Sequence, residues 1–222
     1  MPSPHVLVVF ARAPQLGRVK TRLASVVGDE AALSIYRGLA EQVMQQVCGD
    51  AEFVVTVACA PDSSVDDVRE WLGAHAGGRH VEGQGTGDLG ARMHGAMLRH
   101  FGRGARKVVI IGTDCPAVNA QVVRSAMEAL DHADVVFGPA LDGGYYLVGA
   151  AMPVPQLFTD VPWSAANTLE VSLDRAARSG LRVQLLSLLA DIDTAEDWEA
   201  WRRSGKEGGG TLGGGRHSAG GD

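Results

Sequence analysis

The sequence is poor in lysine, cysteine and aromatic residues, and it has no long apolar run. Three of its 222 residues are lysine, three are cysteine, and aromatics make up 5%. The cysteines, Cys48, Cys59 and Cys115, are odd in number and lack CxxC spacing, which suggests neither a disulfide framework nor a zinc knuckle and reads most simply as reduced thiols. No stretch approaches the ~18–20 apolar residues of a membrane span. The start, MPSPHVLVVF, lacks the charged and long apolar regions of a signal peptide. A cytoplasmic protein without a membrane partner is therefore expected. The net charge of −6 argues against a general nucleic-acid surface, which needs a basic stripe, but leaves small phosphorylated ligands compatible. With 45% hydrophobic and 21% charged residues the chain can bury one full core.

Against that acidic background the segment from Phe10 to Leu23 gathers Arg12, Arg18, Lys20 and Arg22 immediately after the apolar run Val6–Phe10. The run reads as a strand buried on both faces, as in a parallel sheet. The loop then leaves the carboxyl end of a central strand, where backbone N–H groups favour phosphate. Lysine offers such a ligand a point charge, and arginine a bidentate fork. Pro14 and Val19 stand where a Walker A loop requires glycine, so that motif is excluded. An ordinary solvated basic loop is the plain alternative.

Strand-like runs at 5–10, 53–59, 107–112, 134–138, 145–150 and 182–187 alternate with helical periodicity, the pattern of an α/β fold. Helices are expected over Asp29–Cys48, Ser64–Ala74, from Leu89 to about Phe101, over Asn119–Leu130, and after Thr194. One domain is expected over 1–203, and the glycine-rich tail 204–222 reads as disordered. Thr194 with Asp197 forms a variant capping box, which leaves Asp193 unexplained.

Three further segments carry chemistry. Gly83–Gly90, with Gln84, Gly85 and Asp88, lets backbone pass close to a flat base or ribose, unless Thr86 or Asp88 is simply a helix N-cap. The run Lys107–Gly112 leads into Thr113-Asp114-Cys115-Pro116, placing Asp114 at a strand's end where it could hold Mg²⁺ or Mn²⁺ against a diphosphate. A cap or turn role for Asp114 ahead of the next helix is the alternative. Asp142-Gly143-Gly144-Tyr145 suggests a close backbone contact with a substrate and an acceptor for its hydroxyls, with an Asp-Gly turn as the rival explanation. Trp163 could stack on a sugar or base, or be a structural tryptophan. Asp193 is the candidate second metal carboxylate if the chain folds back beside Asp114.

In their order, Ala11–Leu23, Gly112–Pro116, Asp142–Leu147 and Asp191–Asp197 resemble the GT-A-fold nucleotide-diphospho-sugar transferase superfamily. Within it, they are most similar to the small bacterial transferases associated with radical SAM and selenodomain proteins and linked to arsenosugars. The resemblance implies a three-layer α/β/α Rossmann-like sandwich with a mostly parallel sheet, and a divalent cation that binds nucleotide diphosphate. It implies phosphate or nucleotide binding by Arg12, Gly17, Lys20 and Arg22 with the 83–90 loop, and metal binding by Asp114. Acceptor binding would fall near Asp142, Gly143, Gly144, Tyr145 and Trp163. Only one aspartate of the superfamily's DxD motif is present, in Thr113-Asp114-Cys115.

Three functions follow as expectations. In a metal-dependent glycosyltransferase, Lys20 and Asp114 hold a nucleotide sugar while Asp142 orients or deprotonates a small-molecule acceptor. In a nucleotidyltransferase, resembling phospholactate guanylyltransferases, an acceptor phosphate attacks an NTP and pyrophosphate leaves. In a non-catalytic nucleotide-binding module, the chemistry was lost with part of the metal site.

Overall fold

The computed structural model describes residues 5–73, 80–163 and 165–205. Its centre is a seven-stranded sheet in the order β3-β2-β1-β4-β6-β5-β7. The strands are β1 (His5–Arg12), β2 (Val54–Ala60), β3 (Val81–Gly83), β4 (Lys107–Ile111), β5 (Val135–Pro139), β6 (Tyr145–Ala150) and β7 (Val183–Leu185). Strand β1 pairs in parallel with β2 on one side and β4 on the other. The exception to parallel pairing is β6, which lies antiparallel between β4 and β5.

Alternation along each central strand builds two cores. Leu7, Val9 and Ala11 of β1 and Val109 and Ile111 of β4 face one side. There they meet Val43 and Met44 of α2 (Asp29–Val47), Leu72 of α3 (Val65–Gly73) and Val123 of α5 (Ala120–Ala129). On the other side, Val6 and Val8 with Val108 and Ile110 meet Met93 and Met97 of α4 (Leu89–Gly102) and Ala176 of α6 (Thr168–Arg178). The mixed α/β sandwich expected from the sequence is thus observed. Burial on both faces is why β1 and β4 read as unbroken apolar runs rather than as alternating ones.

Two helices and one strand lie outside the sequence reading: α1 (Thr21–Val27), α6 and β3. The run expected at 182–187 contains only the short strand β7. The last helix, α7 (Ala195–Arg203), opens with the expected capping box, in which Thr194 and Asp197 satisfy each other's backbone N–H groups. Residue 74 of the expected second helix and residues 206–222 of the glycine-rich tail lie outside the described residues. No described helix is long and apolar enough to cross a membrane.

Candidate active site

The first crossover places the basic loop at the carboxyl ends of β1 and β4, where the chain leaves neighbouring parallel strands in opposite directions. That is the position where open α/β sheets bind ligands. A cleft of about 770 Å³ opens there. Its apolar floor includes Phe10, Met93, Ile110 and Val148, and its rim carries Arg12, Arg18, Lys20, Arg22, Asp114 and Asp193.

Lys20 is the centre of the rim. It is the residue preceding α1 and adopts a left-handed backbone, φ 48° and ψ 45°, which disfavours any side chain. Its side chain is 3% exposed, and its ammonium lies 2.6 Å from Asp114 Oδ1 and 4.0 Å from Asp193 Oδ1. Lys20 Nζ also donates to the carbonyl of Ile192. Asp193 Oδ2 accepts from Arg22 at 3.1 Å, and the Ile192 N–H donates to the Asp114 carbonyl at 2.8 Å. The segment 191–193 is therefore laced to both the basic loop and the end of β4, which is the fold-back proposed for Asp193. Asn119, rather than Asp114, caps α5, so the cap alternative for Asp114 does not describe its role.

The strand end is clamped by Tyr36 of α2. The Arg12 N–H donates to the Tyr36 hydroxyl at 2.7 Å, and that hydroxyl donates to the Arg12 carbonyl at 2.8 Å. Burial pushes the phenol up to about 12, so it stays a neutral donor. In sequence Tyr36 belongs to a helical apolar stripe, and nothing local marks its hydroxyl as a clamp.

Gln84 reaches the cleft, but its amide is spent on the scaffold. Its Nε2 donates to the carbonyls of Ala11 at 3.1 Å and Ala58 at 3.0 Å, while its Oε1 accepts from Arg92 at 2.7 Å. Asp88 is the N-cap of α4, accepting from Ala91 N at 2.8 Å. A Cβ at Gly90 would lie 2.4 Å from the Trp163 ring, so this glycine admits the indole against the first turn of α4. Gly17 and Gly85 take positive φ in their loops, and neither is part of the cleft wall.

At the other end, Asp142 Oδ1 accepts from Gly144 N at 2.8 Å, closing the turn between β5 and β6. Tyr145 follows on the cleft wall, its ring 5.1 Å from that of Phe137. Asp142, Gly143, Gly144 and Trp163, the expected acceptor residues, are not part of the cleft wall. Ser164, the neighbour of Trp163, lies outside the described residues.

Asp191 and Arg92 were not singled out in the sequence, and both line the cleft. Asp191 was visible only as the first aspartate of Asp191-Ile192-Asp193. Its Oδ1 is buried without a hydrogen-bond partner. Burial, then the negative charges of Asp142 and Asp114, push its carboxyl up to about 7. Because the folded state keeps this proton and the unfolded chain loses it near 3.8, stability contributed here is present at low pH and lost as pH rises to about 7. The loss reaches at most about 1.4 kcal/mol per pH unit. Asp191→Asn, melted in chelator across that range, is expected to flatten the slope and melt above the parent at pH 8. An unchanged slope would show that another group titrates.

The family model described as "Uncharacterized protein conserved in bacteria (DUF2064)" matches residues 43–165. No curated protein matches the chain in sequence. Among solved structures, a protein from Desulfovibrio desulfuricans G20 superposes with a TM-score of 0.85 at 31% identity, covering 93% of this chain and 90% of that one. Its description as a nucleotide-diphospho-sugar transferase is itself provisional. The 4-diphosphocytidyl-2C-methyl-D-erythritol synthase of Anaerococcus prevotii superposes with a TM-score of 0.59 at 12% identity, covering 92% of this chain and 99% of that one. A Mycobacterium tuberculosis protein solved in complex with manganese superposes with a TM-score of 0.53 at 18% identity, covering 90% of this chain and 98% of that one. The two distant likenesses show the fold alone, and together with the first they establish a GT-A-like architecture. With more than half its length matched by the family model, the chain belongs to the DUF2064 family.

Proposed function

We propose that this protein is a nucleotide-dependent transferase that moves a glycosyl group from a nucleotide-diphospho-sugar to a small-molecule acceptor. The observation that carries this reading is the convergence of Arg18, Lys20 and Arg22 with Asp114 and Asp193 at the ends of two parallel strands. A diphosphate leaving group gains negative charge as its bond to the sugar breaks. Cations already fixed in place stabilise that charge without reorganising. Lys20 is the fixed cation here, while exposed Arg18 and Arg22 supply forks for phosphate oxygens. The 31%-identical relative from Desulfovibrio supports the donor class.

The carboxylates fit a hard divalent cation. Asp114 and Asp193 have side chains 52% and 48% exposed, and Asp191 Oδ1 adds an unpartnered oxygen on the same segment. Among the described residues no set of three or more acidic, histidine or cysteine ligands is arranged to hold a metal alone. Mg²⁺ or Mn²⁺ would be held by one or two of these carboxylates together with diphosphate oxygens of the substrate. When bound, such a cation would neutralise phosphate charge and assist departure of the diphosphate. The likeness to a manganese-containing structure is consistent with this class of cofactor. Asp142 keeps Oδ2 for the acceptor hydroxyl while Oδ1 holds its own turn.

Nucleotidyl transfer is the second reading, favoured by the density of cations around the cleft. Both reactions expel a diphosphate, so the product decides between them. With Mn²⁺ and a nucleotide-sugar panel, release of NDP is expected, and Asp114→Ala should abolish it. Pyrophosphate release from an NTP would instead establish nucleotidyl transfer. Nucleotide binding indifferent to Mn²⁺ and to Asp114→Ala would leave a binding module.

A further inference from the structure

The cleft brings Arg12, a phosphate candidate of the basic loop, together with a second arginine, Arg92, that stands outside the Lys20–Asp114 contact. Arg92 projects from α4 and donates from Nη1 to Gln84 Oε1 at 2.7 Å and from Nε to the Asp88 carbonyl at 3.3 Å. Gln84 is 4% exposed, and because its Nε2 is held by the carbonyls of Ala11 and Ala58, its Oε1 has one orientation. The guanidinium of Arg92 is thereby tied to the residue next to Arg12, and both arginines line the cleft. Among the described residues, neither has a carboxylate within 4 Å, whereas Lys20 has two and Arg22 has one. Asp88 is occupied as the cap of α4, and Asp62 accepts from Gly85 N at 3.0 Å. Partial burial, followed by the nearby charge of Arg12, lowers the Arg92 pKa, against the opposing charges of Asp88 and Asp62.

We propose that Arg12 and Arg92 form a second oxyanion seat in the cleft, sharing no partner with the Lys20–Asp114 contact. Its ligand is a phosphate or carboxylate group of a substrate. Two guanidinium groups lining one cleft, neither in contact with a carboxylate, favour an anion over a neutral carbonyl. The proposal rests on the reading of the cleft as a nucleotide site. The oxyanion has two possible sources: a terminal phosphate of the nucleotide or an anionic group on the second substrate.

The test uses calorimetry on the full chain with two probes: an NTP on the ligand-free protein, and inorganic phosphate on the protein saturated with NDP. Arg92→Ala is expected to weaken one probe at least tenfold. Arg12→Ala should weaken the same probe, and Arg92→Lys should restore part of the loss. Loss confined to the NTP identifies the nucleotide's terminal phosphate as the source. Loss confined to phosphate on the NDP complex identifies the second substrate. Parental affinity for both probes in folded Arg92→Ala and Arg12→Ala overturns the seat. A parent that binds neither NTP nor NDP overturns the nucleotide reading itself, and the two failures are therefore distinct.

Discussion

Replacing Lys20 with glycine is expected to weaken nucleotide binding about tenfold to a hundredfold while leaving the melting temperature within a few degrees of the parent's. The loss of binding follows from the buried ammonium, whose side chain is 3% exposed. Two of its three N–H donors are held by Asp114 and the Ile192 carbonyl, and the third is left for a phosphate oxygen, a charged hydrogen bond worth about 1.5–3 kcal/mol. The small change in stability follows from two opposing effects. Glycine removes the contacts to Asp114 and the Ile192 carbonyl, but Asp114 is 52% exposed and can return to water. Glycine also accepts the left-handed backbone at φ 48° that strains a lysine. That relief is worth on the order of 1 kcal/mol. Lys20→Ala keeps the strain and loses the same contacts, so it should bind as poorly and melt lower than Lys20→Gly. A Lys20→Gly protein with parental affinity would remove the phosphate role, and equal melting of the two variants would remove the strain. Weak binding with parental melting in Lys20→Gly would show a residue held for its ligand rather than for the fold, as expected of strain stored at a functional site.

What could be read from the residues follows from the range of the forces involved. Strands β1 and β4 were legible because burial on both faces writes a continuous apolar run, and α2 because its stripe repeats every three or four residues. The basic loop and Asp114 were legible because topology places strand ends together. Helix α1 was not, since it has seven residues, no side-chain cap, and a lysine in left-handed conformation where a capping residue would announce it. Helix α6 likewise begins without a side-chain cap, and β3 is three residues long. The insertion of β6 between β4 and β5 is a tertiary choice that local pattern does not encode. Arg92 and Asp191 escaped because their roles depend on distant contacts. One is aimed by a glutamine bonded to β1 and β2, and the other is defined by its burial among aspartates.

Gly143→Ala is expected to destabilise the protein by about 2–4 kcal/mol, well beyond the cost of adding a methyl group at an uncrowded glycine. Gly143 has φ +87°, and a Cβ there would lie 1.8 Å from the carbonyl oxygen of Ala166 and 2.6 Å from its carbon. Both are backbone atoms, so no rotamer change relieves the contact. Gly143 also joins the turn to α6, because its carbonyl accepts from Leu169 N at 3.0 Å and its N–H donates to the Ala140 carbonyl at 3.1 Å. To admit a methyl group, the turn must move away from 166–169 and lose at least one of these bonds. For a chain of this size the midpoint should fall by about 5–12 °C. Gly180→Ala supplies the control, since Gly180 has φ +68° with nothing within 4 Å of an added methyl and should cost about 1 kcal/mol from backbone strain alone. The difference between the two variants isolates the contact with Ala166. Because Asp142 closes the same turn, the acceptor KM should rise in Gly143→Ala while nucleotide affinity at Lys20 is retained. Equal melting of the two variants would show that the turn yields without cost, and the proposed acceptor role of this turn would then not depend on its link to α6.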